Sequence, residues 1–318
     1  MTAPHNNRRS FSRHLAGALP AHGWRTRFAP APTGYLHLGH LVNAMHVWGI
    51  ARAHGGLVVL RIEDHDRTRC RAEYETALLE DLEWLGFEAD IAPGPSFAAR
   101  PHPQRQSDQD ARYAQALARL HADGVVFACQ CTRREIAANA PRAAGEELRY
   151  PGTCRSADIS VRTTFARRVR IDAGDERFDD LRLGPMVQRP SEQCGDLLAR
   201  DRHANWTYQF AVVVDDIAHG IDVIIRGDDL LASTGRQQRL RRLLGHGPVP
   251  HTLHHALLRH PDGTKLSKAN GDTALRERRR DGASPQLLLG EAAYRVGLQD
   301  TPRSLNVHDL ADLFRETS

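Results

Sequence analysis

The sequence predicts an α/β fold in which a parallel sheet covered by helices is interrupted by an inserted domain and followed by a short helical segment. Three observations predict it. A strand, helix, strand order occupies residues 24–62, and a second apolar and helical set follows at 210–244. Between them lies a stretch of different character, with clustered cysteines and Pro/Ala-rich connections. A βαβ unit needs a crossover that lays its helix on the face of the sheet, so the two flanking sets read as halves of one covered sheet.

Residues 24–31 read as a strand that Pro30, Pro32 and Gly34 break into a turn. A helix is expected from near His37, because Leu41, Val42, Met45, Trp48 and Ile50 recur at near-helical spacing, and Gly55-Gly56 supplies the stop. Residues 57–62 form the next apolar strand. The apolar stretch 210–214, then 221–226 and the helical pattern 230–244, read as the other half of the sheet. The insertion opens with a helix near 113–120. After the second half, Ser284-Pro285 caps one helix and 307–314 makes another. The expected organisation is a frayed tail over 1–24, a first half of the sheet domain over 25–108, an insertion over 109–203, its second half over 204–262, and a lysine loop with C-terminal helices over 263–318. The 50 residues after Lys268 are too few for a further domain of ordinary size.

The charge balance is +4, from 43 basic and 39 acidic residues, which permits an anionic partner without demonstrating one. Five unevenly spread cysteines speak against a secreted disulfide framework and for a reducing compartment or a metal site, so a cytoplasmic protein is expected; separately, a monomer is expected. No apolar run approaches the roughly 18 residues of a membrane span, and 1–24 lacks the apolar core of a secretory signal. Its arginines, with no acid, leave an organellar transit peptide as the alternative to a frayed tail. One bias is more telling. Of the 43 basic residues 41 are arginine, and the two lysines, Lys265 and Lys268, stand three apart. Lysine has been kept where a compact ammonium is needed in place of a planar guanidinium.

The segment Pro30-Ala31-Pro32-Thr33-Gly34-Tyr35-Leu36-His37-Leu38-Gly39-His40 puts two imidazoles at i and i+3 of a helix start, where free N–H groups and the dipole favour phosphate. Gly39 removes a side chain, so that a ligand can approach the backbone. Taken alone, such a pattern could be an ordinary satisfied helix start, and the lysine pair a solvated loop. Together the segment resembles the HIGH signature of class I aminoacyl-tRNA synthetases, and Lys265-Leu266-Ser267-Lys268 resembles their KMSKS loop. Arg27-Phe28-Ala29-Pro30, Arg61-Ile62-Glu63-Asp64 and Val212-Val213-Val214-Asp215-Asp216 are similar to stretches of the glutamyl and glutaminyl branch, over about residues 25–270. The resemblance implies a Rossmann-type sheet and ATP, with Mg2+, as substrate. It implies that His37, His40, Lys265 and Lys268 act in catalysis, with His37, Gly39, His40 and Lys268 at ATP. For glutamate it implies Arg27, Phe28, Ala29, Pro30 and Ala31 along the first strand and turn, Glu63 at the α-ammonium, and Tyr208 and Arg226. The chemistry agrees, since glutamate offers two carboxylates and one ammonium to arginines, a phenol and a carboxylate.

Cys129 and Cys131 end a predicted strand, and Cys154 follows a Pro/Gly-marked turn. Spacing alone leaves three buried thiols or a metal site open, because structural zinc usually shows four Cys or His ligands. In the short glutamyl synthetase-like proteins the fourth ligand is a tyrosine in a Y-x-G-x-C context. Tyr150-Pro151-Gly152-Thr153-Cys154 fits, which implies one structural Zn2+ on Cys129, Cys131, Tyr150 and Cys154 in an inserted zinc-binding domain. Cys70 and Cys194 have no such partners.

The short branch that this chain resembles activates glutamate without tRNA and transfers it to the queuosine base at the wobble position of tRNA(Asp), holding the anticodon arm. The chain keeps both histidines of its His37-Leu38-Gly39-His40 motif. A truncated conventional glutamyl-tRNA synthetase and an adenylate-forming ligase with a non-RNA acceptor use the same activation residues. A non-catalytic RNA-binding paralogue would leave the phosphate-handling residues unexplained, and aromatics at 6% supply no stacking platform.

Overall fold

The computed structural model describes residues 4–140, 147–157, 159, 165–259 and 273–315. Lys265 and Lys268 lie outside the described residues. The elements run α1 (Pro4–Ala18), β1 (Arg25–Phe28), α2 (Leu38–Ala53), β2 (Leu57–Leu60), α3 (Ala72–Leu85), α4 (Asp110–Ala122), β3 (Val126–Cys129), α5 (Arg133–Asn139), β4 (Ala166–Val169), β5 (Glu176–Asp180) and β6 (Gly184–Gln188). They continue with α6 (Pro190–Gln193), β7 (Leu197–Arg200), α7 (Tyr208–Ala218), β8 (Val223–Gly227), α8 (Thr234–Leu243), β9 (His251–His255), α9 (Leu275–Arg280) and α10 (Pro285–Arg295).

The β1–α2–β2 unit is as the sequence predicts, with β1 and β2 parallel from Arg25 opposite Leu57 to Phe28 opposite Leu60. β8 and β9 are parallel too, and β1 lies beside β8, where the Asp222 N–H donates to the Arg25 carbonyl at 2.9 Å. The apolar helix α2 is covered on all sides, by β1, β2 and β8 on the sheet and by α10 and the 3-10 turn Val307–Leu313 beyond it. Met45, Val47, Ile50 and Ala51 have no exposed surface, and the Phe314 ring fills the space into which a side chain at Gly49 would project. The buried tryptophans keep their indole N–H groups satisfied: Trp24 donates to the His54 carbonyl at 2.9 Å and Trp48 to that of Glu88 at 2.8 Å. Ser284 caps α10 as expected, accepting from the Leu287 N–H at 3.3 Å.

Three expectations change. Residues 4–18 form a helix, not a frayed tail; Phe11, Leu15 and Leu19 recur every four residues, and Leu15 and Leu19 are buried in the main core. The apolar run 210–214 is the middle of helix α7, not part of the sheet. It is apolar all round because α4, α8 and β7 all pack on it, and a short buried run reads alike as strand or helix. The stretch 109–203 also feeds two sheets. β3, β4 and β7 form an antiparallel sheet of their own, whereas β5 pairs with β9 and carries β6 antiparallel at its edge.

One buried charge in this frame has no ligand to serve. Asp81 on α3 is 2% exposed, its Oδ2 has no hydrogen-bond partner among the described residues, and burial pushes its carboxyl up to about 6 against the pull of Arg279 and Arg276. Between the unfolded value near 4 and about 6 the folded state holds the proton more tightly, so stability falls as pH rises through that window. Asp81→Asn should therefore stabilise the protein at pH 7.5 by about 1–3 kcal/mol, with the gain vanishing below about pH 4. Urea midpoints at both pH values check this, and a pH-independent difference would contradict it.

Candidate functional site

β1, β2 and β8 all present their carboxyl ends to one side, and the functional side chains gather there. Arg27 of β1 reaches Asp216 of α7 through Nε at 3.3 Å and donates to the Ile225 carbonyl at 3.3 Å. Arg61, just past β2 and without exposed surface, donates to the same Asp216 oxygen at 2.6 Å and to Glu63 Oε1 at 2.9 Å. Burial opposes the charge on Asp216, but Arg27 and Arg61 hold its carboxyl below the usual range. Glu63 is 6% exposed, and its N–H donates to the Pro30 carbonyl at 3.0 Å, which ties the turn after β1 to the chain after β2. The four charges form a closed set of two cations and two anions.

Arg226, on β8, is different. Its Nε donates to His254 at 3.1 Å, its terminal nitrogens to Gln237 Oε1 at 2.8 Å and Thr234 Oγ1 at 2.9 Å, and Tyr208 lies within hydrogen-bond reach. All three of those measured partners are uncharged acceptors. Among the described residues no carboxylate lies at ion-pair distance from this guanidinium, although it is 3% exposed. Burial depresses its basicity and raises the Tyr208 hydroxyl. A buried cation without a counter-charge is costly unless an anion arrives from outside.

The imidazoles sit where the sequence puts them. His37 caps α2, its Nδ1 accepting from the Gly39 N–H at 3.0 Å, and His40 Nδ1 accepts from the His37 N–H at 3.2 Å. The rings stand 4.0 Å apart between centroids. Because each Nδ1 accepts, each neutral ring carries its proton on Nε2, as a donor suited to phosphate oxygen. A side chain at Gly39 would come within 2.8 Å of the His37 ring, so glycine is required here by the capping imidazole as well. Phe28 packs at 5.2 Å on Trp48 and is 1% exposed, so its side chain belongs to the core. Ala29, Pro30 and Ala31 form the turn that links β1 to the cap of α2.

The sulfur atoms of Cys129, Cys131 and Cys154 lie within 4.8 Å of one another, with Cys131 and Cys154 at 3.5 Å. The Tyr150 hydroxyl is 3.5 Å from Cys129 and accepts the Cys154 N–H at 2.8 Å. A tetrahedron with Zn–S bonds of about 2.3 Å has edges near 3.8 Å, so the donor set fits zinc. Tyr150 is held from behind: the Arg168 guanidinium lies 3.8 Å over its ring, and any side chain at Gly195, at φ +67°, would strike its carbonyl. A cleft of about 1070 Å³ runs from this cluster to Tyr208, with Arg168, Arg236 and Gln209 on its walls.

A family model described as tRNA synthetases class I (E and Q), catalytic domain, matches residues 24–310. The chain belongs to this family. It is accordingly an ATP-using ligase of the aminoacyl-tRNA synthetase kind. A curated relative from Symbiobacterium thermophilum, named glutamyl-Q tRNA(Asp) synthetase, is 39% identical over 299 residues, 91% of each chain. One of the same name from Cupriavidus metallidurans is 41% identical over 280 residues, covering 86% of this chain and 85% of the relative. A solved glutamate tRNA ligase from Elizabethkingia meningosepticum, in complex with its amino acid, shares the fold at a TM-score of 0.75 and 24% identity. It is matched over 92% of this chain and 65% of its own longer one.

Sequence reasoning gave no role to Asp216, Thr234, Gln237 or His254. Two acids inside an apolar run were the available signal, since a buried helix does not keep carboxylates without partners. Asp216→Ala leaves Arg27 without its ion pair and Arg61 with Glu63 alone, and should lower the unfolding free energy by about 3–5 kcal/mol in urea titration. A loss below about 1 kcal/mol would show that the two arginines do not depend on it.

Proposed function

We propose that this enzyme activates L-glutamate with ATP, without tRNA, and transfers it to the queuosine base at the wobble position of tRNA(Asp). What carries the reading is the likeness to relatives named glutamyl-Q tRNA(Asp) synthetase, because it extends over 91% of both chains and is not confined to one module. The geometry supports glutamate. Arg226, buried without a carboxylate, receives the side-chain carboxylate together with Tyr208, and Glu63, held by Arg61, receives the α-ammonium. Arg27, fixed by Asp216, lies at the α-carboxylate.

In the first step an α-carboxylate oxygen attacks the α-phosphorus of ATP and pyrophosphate leaves. His37 and His40 donate from Nε2 to the phosphate oxygens, where charge grows in the transition state, and Gly39 lets the adenine approach the turn. Lys265 and Lys268 serve the departing phosphates, and Mg2+, when bound there, neutralises part of their charge. In the second step a hydroxyl of the cyclopentene diol of queuosine attacks the glutamyl carbonyl, an ester forms and AMP leaves. Cys129, Cys131, Cys154 and Tyr150 would hold zinc as a structural support for the β3–β4–β7 sheet.

Two measurements test this. Protein prepared with zinc should contain one ion per chain, and Cys154→Ser should lose both the ion and several degrees of thermal stability; unchanged stability would favour plain buried thiols. Labelled glutamate should enter tRNA(Asp) bearing queuosine, but neither tRNA(Asp) bearing guanosine there nor tRNA(Glu). The link should be alkali-labile and survive removal of the 3′ adenosine. Label entering tRNA(Glu) and lost on 3′ oxidation would restore ordinary charging.

A further inference from the structure

Behind Arg226 three neighbouring strands place one residue each in a line. His254 of β9 pairs in register with Arg226 of β8, and Asp180 closes β5, which pairs with β9. Asp180 Oδ2 lies 2.6 Å from His254 Nδ1, and His254 Nε2 lies 3.1 Å from Arg226 Nε. Asp180 is 1% exposed and His254 has no exposed surface. The hydrogens of this chain follow from its chemistry. Arginine Nε carries one hydrogen and no available lone pair, so it can only donate, and His254 Nε2 must accept. The ring proton therefore sits on Nδ1 and points at Asp180. Thr234 Oγ1, which accepts from Arg226, stands 3.2 Å from the same Nε2.

We infer that Asp180 and His254 are positioning residues for glutamate selection: Asp180 sets the His254 tautomer, and that tautomer fixes the Arg226 guanidinium for the ligand's side-chain carboxylate. The inference rests on the proposed role of Arg226. With Nε held by His254, and one hydrogen on each terminal nitrogen held by Gln237 and Thr234, one N–H per terminal nitrogen remains. These serve Tyr208 and the carboxylate. A guanidinium aimed in this way also disfavours glutamine, whose neutral amide would leave the buried cation without a counter-charge.

The other oxygen of Asp180 makes the idea testable. Oδ1 accepts the backbone N–H groups of Arg182 at 3.1 Å and Leu183 at 3.0 Å, so in Asp180→Asn the amide oxygen stays there and the NH2 faces His254. His254 must then accept at Nδ1 and carry its proton on Nε2, donor against donor with Arg226. A carboxylate-to-amide change of this kind preserves shape and inverts the tautomer.

Glutamate-dependent pyrophosphate exchange and the 15N spectrum of histidine-labelled protein test this together, with the His254 signal assigned by its loss in His254→Gln. Wild type should show the Nδ1–H tautomer at His254 and Asp180→Asn the Nε2–H tautomer. Asp180→Asn and His254→Asn should raise KM for glutamate about 10–100-fold and narrow its preference over glutamine, with KM for ATP within about twofold. His254→Gln, which returns an acceptor near the Nε2 position, should stay within about threefold of wild type. Should Asp180→Asn fail to fold, the contrast between Asn and Gln at position 254 decides. Equal losses in those two, a parallel rise in KM for ATP, or an Nε2–H tautomer in wild type would overturn the relay. Exchange by wild type with another amino acid and not with glutamate would refute the substrate, while the tautomer still reports on the relay.

Discussion

The fold converges on one buried carboxylate. Asp216 projects from α7 between Arg27 and Arg61, which stand at the ends of two parallel strands, and its two ion pairs lock the helix onto the carboxyl edge of the sheet. A pair of this kind offsets its desolvation only when the remaining donors are satisfied. Arg61 goes part of the way by also holding Glu63, although its buried Nε has no hydrogen-bond partner among the described residues, and Arg27 reaches the Ile225 carbonyl of β8. Three strands and a helix are thus tied through charged side chains, at the edge where an open parallel sheet binds its ligands. The geometry at this edge is inherited from interactions that also hold the domain together, so side chains there would lose little further freedom on binding a ligand.

How much of this was legible in the sequence depended on how local the signal was. The β1 turn, the His37 cap and α2 are encoded within some thirty residues, and periodicity with punctuation was enough to place them. The C-x-C pair and the Tyr150 to Cys154 turn are local too, and the structure brings all four donors together. Asp180 and His254 stand 74 residues apart, and only the pairing of β5 with β9 makes them neighbours; no spacing rule connects them. The run 210–214 failed for another reason. Five consecutive apolar residues span less than two helical turns, too short a run for periodicity to separate helix from strand. The stripe Phe11, Leu15, Leu19 along α1 and the residue after it was present, but arginines through the same stretch mask its period.

Neighbouring acids on α7 show why burial alone does not mark a functional group. Asp215 is as deeply buried as Asp216, but Gln106 at 2.8 Å, Tyr113 at 2.7 Å and Arg112 at 2.9 Å satisfy both its oxygens. That cluster is closed and asks for nothing from solution. The charges of Arg27, Arg61, Asp216 and Glu63 also cancel among themselves. Arg226 alone in this group has its donors placed on neutral acceptors while its charge finds no partner at ion-pair distance among the described residues. Removing a guanidinium from water without an anion opposes folding, and the surrounding hydrogen bonds recover only part of that cost. In the proposed reading a ligand carboxylate would complete the set, which would make this charge the part of the site whose energy changes most when substrate binds. In that reading specificity would follow from the same imbalance, because a neutral isostere would leave the cation uncompensated while fitting the same space.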